Sequence, residues 1–417
     1  MWDGRDEPII KSALDIDFYK FSMGQFIFHR YANVPVRFSY INRTSKVRIG
    51  DVIDSGELKE QLDHVMKNVR FGNSDLHYLR GTNEYGERMF KEDYLEFLKN
   101  YRFPDYKMNV KDGVLHLDFP GDWAHATYWE TIALAIVSEL RSRTILRKMT
   151  RAERRAVFAE GHIRLMEKIR RLRTRPWITV VDFGTRRRFF FVWHKHVVEV
   201  MAEELPEQFR GTSNVLLAQK YNLLPMGTNA HELSMVMSCL DRSSDEAIVE
   251  SQRRLLREWW DEYGWGLSIA LDDTYGSPAF RNSIITPEQA SQWKGFRQDS
   301  GDPIEYGKAT IKYYKDLGID PREKLIIFSD GLDPMMIFRL DDAFNEKIKL
   351  TYGWGTNLTN DLGVDTLSMV VKIAEANGFG AVKLSNNVAK ATGKAEDIER
   401  FKRIFGYNNL YSEECRY

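Results

Sequence analysis

A chain of 417 residues, 43% of them hydrophobic, can fold as one large domain or two around a real core. Lys plus Arg and Asp plus Glu number 60 each, so no overall field recruits nucleic acid or a membrane surface. Cys239 and Cys415 are the two cysteines, which excludes a disulfide framework and a cysteine zinc site. With no signal-like start and no apolar run of about 18 residues, a cytoplasmic protein is expected.

Residues 1–125 mix short alternating runs, "VPVRFSYINR" and "GVLHLDF", with amphipathic stretches, and predict a small N-terminal α+β domain. Residues 126–175 read as connecting helices. Residues 141–175 hold thirteen Lys or Arg against three Glu, yet no aromatic platform is interleaved. Ile145, Met149, Ile163, Met166 and Ile169 supply the apolar positions, so the arginines are expected on a solvated face rather than on nucleic acid.

From 176 to 385 a rhythm repeats: a short apolar run, a polar loop with glycine, then a capped helix. It runs through "WITVVDFGTRRR", "LSIALDDTYGSPAF", "GFRQDSGDPIEYGKATIKYYKDLG", "KLIIFSDGLDPMMIF", "IKLTYGWGTNLTND" and "GAVKLSNN". Such repetition predicts a parallel sheet closed as an irregular (β/α) barrel, with an open doubly wound sheet as the competing architecture. Ser277-Pro278, Asp302-Pro303 and Asp333-Pro334 read as cap and first helical residue. Two capping boxes are expected, Asn229 with Glu232 and Asp302 with Glu305, and the first puts His231 in a helix's first turn. Residues 386–417 are expected to form a helical tail that packs back on the body.

Barrels gather their chemistry at the C-terminal ends of the strands, and the unusual residues fall there. In "VVDFGTRRRFF", Arg186, Arg187 and Arg188 crowd a helix start, where cations oppose the dipole unless they face an anion or fan into water. Gly184 lets the chain approach a ligand. "SDGLD" (329–333) and "GWGTN" (353–357) combine free backbone N–H groups with the hydroxyls of Ser329 and Thr356, a setting for a phosphate monoester. Asp273 and Asp299, in the preceding loops, and Asp330, in "SDGLD" itself, suit ribose hydroxyls, Mg²⁺ or a developing positive charge. Competing motifs fail: Gly301 and Gly307-Lys308 miss the phosphate-loop spacing, and "DFG" has no HRD partner. His194 and His196 sit two apart on a helix and make a poor metal pair.

Taken in order, "DFGTRRRF", "GTSN", "GTNAHE", "RQDSGDP", "FSDGLD" and "GTNLTNDLG" resemble the nicotinate phosphoribosyltransferase family, from "LDIDFYKFSMGQ" to "VKLSNN". The resemblance implies an N-terminal α+β domain leading into an irregular barrel. It also implies transfer of 5-phosphoribosyl 1-diphosphate onto nicotinate in NAD salvage, with Mg²⁺ and coupled ATP hydrolysis, in a homodimer. It makes His231 the phosphohistidine. Phe183 would stack on the base, together with Tyr19 from the neighbouring subunit, and Ser213, Thr228 and Arg297 would hold its carboxylate. Arg186 would meet the diphosphate, Asp273, Asp299 and Asp330 the ribose and Mg²⁺, and Gly331, Gly353, Gly355 and Thr356 the 5-phosphate. The nearest rival is a nicotinamide phosphoribosyltransferase. That enzyme carries an aspartate where "GTSN" has Ser213, and a carboxylate there would repel an acid substrate. A phosphoribosyltransferase of the other fold type would need a TGGT-like loop after "SIALDD", which "YGSPAF" does not supply. A non-catalytic barrel protein is the remaining alternative.

Overall fold

In the computed structural model, residues 7–44, 46–84, 87–409 and 411–413 are described, so Cys415 and the chain's last residues lie outside the described part. Two large sheets organise them. The antiparallel one runs in the order Phe379–Gly380, Met369–Ala376, Pro35–Asn42, Val114–Asp122, Lys107–Lys111. Its alternating strand Pro35–Asn42 buries Val36, Phe38 and Tyr40. Its neighbour Met369–Ala376 pairs with it from Val36↔Ala376 to Asn42↔Met369. Residues 369–376, read from sequence as the end of the barrel, therefore build the N-terminal sheet, which draws on both ends of the chain.

The second sheet has six parallel strands in the order Phe209–Thr212, Val180–Asp182, Lys349–Trp354, Leu325–Phe328, Gly295–Gln298, Ile269–Leu271. Every strand except Phe209–Thr212 neighbours the next in sequence, and the last, Lys349–Trp354, closes onto the first, Val180–Asp182. That cyclic order is a barrel's and not a doubly wound sheet's. The ring is broken between Phe209–Thr212 and Ile269–Leu271, where helices His231–Leu240 and Asp245–Tyr263 intervene.

Helix Trp129–Arg147 is buried nearly all round, its buried Glu139 and Arg143 paired with each other. Helix Arg151–Arg173 starts at a true capping box, Thr150 with Glu153. Its buried stripe is Phe158, Gly161, Leu165, Ile169 and Leu172, while Ile163, expected to face inward, is 63% exposed. Its cations are largely paired within the chain: Arg164 and Lys168 with Asp361, Arg171 with Glu167, Arg173 with Glu204. No helix among the described residues is long and apolar enough to cross a membrane. Beyond helix Ala395–Ile404 the tail does pack back: the Tyr407 hydroxyl donates to the Ser385 carbonyl at 2.7 Å, and Asn387 Nδ2 donates to the Glu413 carbonyl at 2.9 Å.

Four start signals had different outcomes. Asp302 caps through the N–H groups of Ile304 and Glu305, and Asp333 through that of Met336, but Glu305 turns out to Lys308 and closes no box. Ser277 is the first helical residue rather than the cap, because its hydroxyl is spent on Asp272 at 2.9 Å. Asn229 caps nothing. The helix starts at His231 after Ala230, and Glu232 turns away to Lys20 and to Trp123 Nε1, the latter at 2.6 Å.

Candidate active site

The C-terminal ends of the parallel strands open into one cavity of about 290 Å³, lined also by the first helix and by strand Met369–Ala376. Asp182, at the end of its strand, organises one wall. It accepts from the Gly184 N–H at 2.8 Å and the Thr212 hydroxyl at 2.6 Å, and it meets His194 Nε2 at 2.6 Å, so His194 is a buried structural partner. Burial alone would raise the Asp182 carboxyl. His194 and these hydrogen bonds hold it below its usual value instead.

The three arginines that follow part company. Arg188 is fully buried against Asp15 and supports the fold. Arg187 donates to the Met369 carbonyl at 3.1 Å and comes within 3.5 Å of the Thr356 hydroxyl, joining the two sheets at the cavity edge. Arg186 lines the cavity, loosely flanked by Asp17 at 3.5 Å and Glu130 at 3.4 Å, with its guanidinium 5.7 Å from the centre of the Tyr19 ring.

Phe183 and Tyr19 both line this cavity. Gly353 sits behind Phe183: a Cβ there would come 2.4 Å from the ring, so glycine is what lets the ring lie flat on the strand. Gly353 therefore supports the Phe183 ring from behind and is not itself among the residues lining the cavity. Tyr19 of this same chain lines the cavity. The Phe18 N–H donates to the Ser213 carbonyl at 2.7 Å, and Gly227 leaves room for the Tyr19 backbone, fixing the start of the first helix at its own barrel's mouth.

Ser213 lines the cavity, but its hydroxyl donates to Asp17 Oδ1 at 2.6 Å. The slot thus contains an acid after all, supplied by position 17 rather than 213. Burial raises the Asp17 carboxyl above its usual value, although Arg186 and Ser213 oppose that rise. Thr228 stands behind the lining and accepts from Ser22 Oγ through its carbonyl. Arg297 lines the cavity, and its buried Nε has no hydrogen-bond partner among the described residues.

His231 lies at the centre. Nδ1 meets the Thr274 hydroxyl at 2.9 Å, while Nε2 lies 3.0 Å from Asp299 Oδ2, 2.8 Å from Lys383 Nζ and 3.5 Å from Asp273 Oδ1. Burial and the Lys383 charge push its pKa down to about 4 against the pull of Asp273 and Asp299. An imidazole neutral at neutral pH carries one ring proton, and its Nε2 faces both the Lys383 ammonium and the Asp299 carboxylate. Both aspartates would be raised by burial, but His231 and Lys383 hold them below the usual range, Asp299 well below. The ligand atoms of His231, Asp273 and Asp299 lie within 4.8 Å of one another, a donor set that fits a divalent cation.

Asp330, Gly331, Gly355 and Thr356 complete the far wall. Lys390 Nζ reaches Asp330 Oδ1 at 2.5 Å and the Asp299 carbonyl at 3.0 Å. Sequence reasoning missed Lys372, Lys383 and Lys390, together with Arg43, Asp17 and Glu130. A signal was present: lysines inside the apolar runs "VVKIAEA" and "AVKLS" are costly to bury without an anionic partner.

Parallel strand ends converging on one cavity lined by cations and aspartates define a barrel enzyme that handles an anionic substrate. The chain belongs to the nicotinate phosphoribosyltransferase (NAPRTase) family: the family model matches residues 178–409, and the model of its N-terminal domain matches residues 14–138. Its fold is similar to that of a nicotinate phosphoribosyltransferase from Vibrio cholerae, with a TM-score of 0.84 at 31% identity over 96% of this chain and 94% of that one. One from Porphyromonas gingivalis gives 0.83 at 27% identity over 95% and 100%. The chain is thus a phosphoribosyltransferase of that family, with the α/β barrel and N-terminal α+β domain that the motifs imply.

Proposed function

We propose that the cavity joins nicotinate to 5-phosphoribosyl 1-diphosphate, releasing diphosphate and forming nicotinate mononucleotide for NAD synthesis, with ATP hydrolysis coupled through a phosphate on His231. The observation that carries this reading is the meeting, in one cavity, of an aromatic slot, an arginine, and a histidine set among aspartates and lysines.

Phe183 and Tyr19 would sandwich the pyridine ring, and Arg297, whose Nε lacks a partner, would take its carboxylate. Asp17 lies 3.5 Å from the Arg186 guanidinium, which offsets its charge and lessens repulsion of an acid substrate. Gly355 and Thr356, at the start of the short helix Thr356–Thr359, and Gly331 would cradle the 5-phosphate. Asp273, Asp299 and Asp330 would face the ribose, and Asp273 and Asp299 would share Mg²⁺ with the substrate diphosphate. The cation would neutralise charge on the leaving group. No protein nucleophile attacks the sugar. The slot aligns the ring nitrogen with carbon 1, and the aspartates favour the positive charge that develops there.

Two features support His231 as the phosphate acceptor. Its Nε2 faces the cavity, and Lys383 is placed to offset the added charge. Thr274 holds the opposite nitrogen and so fixes the ring's orientation. In the homodimer expected of this family, a partner subunit would complete the mouth of the cavity beside Phe183 and Tyr19. Incubation with γ-labelled ATP and mapping of the labelled peptide tests the coupling. An acid-labile phosphate on His231, absent from His231→Ala, is expected, and an unlabelled wild-type protein would refute it.

A further inference from the structure

A line of buried charge runs from the His231 helix to the cavity arginine. Lys20, in the first turn of helix Tyr19–Tyr31, is fully buried, and its ammonium is shared between two carboxylates: Glu130 Oε2 at 2.6 Å and Glu232. It also donates to the Thr127 hydroxyl at 3.2 Å. Glu232, the residue after His231, is fixed on its other oxygen by Trp123 Nε1. Glu130 turns its second oxygen to Arg186, at the much longer distance of 3.4 Å. Burial raises the Glu232 carboxyl, while Lys20 and Arg186 hold that of Glu130 below its usual value.

The distances rank the pairs. Glu130 is held tightly by Lys20 and loosely by Arg186, and Arg186 keeps 35% of its side chain exposed in the cavity. A buried carboxylate takes whichever cation is closest, because leaving it unpaired is costly. We propose that Lys20 is a positioning residue: by occupying Glu130 it keeps the Arg186 guanidinium free to turn toward the substrate diphosphate, and through Glu232 it ties that freedom to the start of the His231 helix. Without Lys20, Glu130 would close on Arg186 and hold its guanidinium against the cavity wall, away from the diphosphate. This inference rests on the phosphoribosyl-transfer reading, in which Arg186 meets the diphosphate.

The test is calorimetric binding of inorganic diphosphate, with Mg²⁺ present, to the full-length chain and its variants. Lys20→Met should bind about tenfold more weakly or worse, the loss of a charged hydrogen bond. The double variant Lys20→Met/Glu130→Gln should recover to within about threefold of wild type, because the competitor for Arg186 has been neutralised. A merely structural lysine predicts the opposite, since the double variant loses a further charge and regains nothing. Lys20→Met binding as wild type, or a double variant as weak as the single, overturns the proposal. Should Lys20→Met fail to fold, the double variant alone decides: diphosphate binding within about threefold of wild type is expected, and a tenfold loss overturns the proposal. A wild-type protein that binds no diphosphate would sink the transfer reading itself, an outcome distinct from all of these.

Discussion

His231 is held neutral by burial and by Lys383, with a pKa of about 4 against an ordinary 6.5. The unfolded chain therefore binds this proton more readily than the folded one. Its contribution to stability is full above pH 6.5 and is lost as pH falls through 6.5 toward 4. Thermal melts between pH 7 and 5 should show wild type losing more stability than His231→Asn; equal losses would mean the imidazole is not held neutral. His231→Ala should abolish ATP coupling while leaving slow ATP-independent transfer, read as diphosphate release with and without ATP. Arg297→Gln should raise KM for nicotinate by about tenfold to a hundredfold, the worth of a charge-assisted hydrogen bond to a carboxylate, with KM for the phosphoribosyl donor little changed. Most of these side chains were legible in the sequence because they sit in short loops after apolar runs. Asp17, Glu130 and Lys383 were not, because they reach the cavity from segments far apart in sequence that only tertiary packing brings together.

Among the elements, glycine spacing carries as much of the site as the side chains do. Gly353→Ala would drive a methyl group into the Phe183 ring, and overpacking of this kind costs about 1–3 kcal/mol. We expect a lower melting temperature and a several-fold higher KM for nicotinate, checked by calorimetry and steady-state kinetics. Asp302→Ala, a cap remote from the base slot, should cost about 1 kcal/mol and leave both KM values unchanged. Caps were legible where the side chain has no better partner, as at Asp302 and Asp333. They failed where tertiary contacts outbid the local bond: Ser277 is taken by Asp272, and Glu232 by Lys20 and Trp123. The three arginines illustrate the same limit. Their crowding was visible, yet whether each faced ligand, water or a buried acid depended on Asp15, Asp17 and Glu130, which periodicity does not locate.

Across the whole molecule, the antiparallel sheet closes only when Met369–Ala376 returns to Pro35–Asn42, so the first and last thirds of the chain fold together. The same strand carries Lys372 into the cavity and leaves Arg187 hydrogen-bonded to the Met369 carbonyl, which makes the site depend on that closure. Strand rhythm exposed the barrel, but alternation alone cannot reveal that "MVVKIAEA" pairs some 330 residues away. A chain ending at residue 365 should lose cooperative thermal unfolding, followed by circular dichroism; native-like melting of that fragment would contradict this reading.

The most direct measurement follows the products formed from equimolar nicotinate and nicotinamide supplied with 5-phosphoribosyl 1-diphosphate, Mg²⁺ and ATP. Nicotinate mononucleotide and diphosphate should form in equal amounts, with the amide largely untouched and the yield raised by ATP. Preferential conversion of nicotinamide, or no diphosphate at all, would contradict the assignment of this cavity.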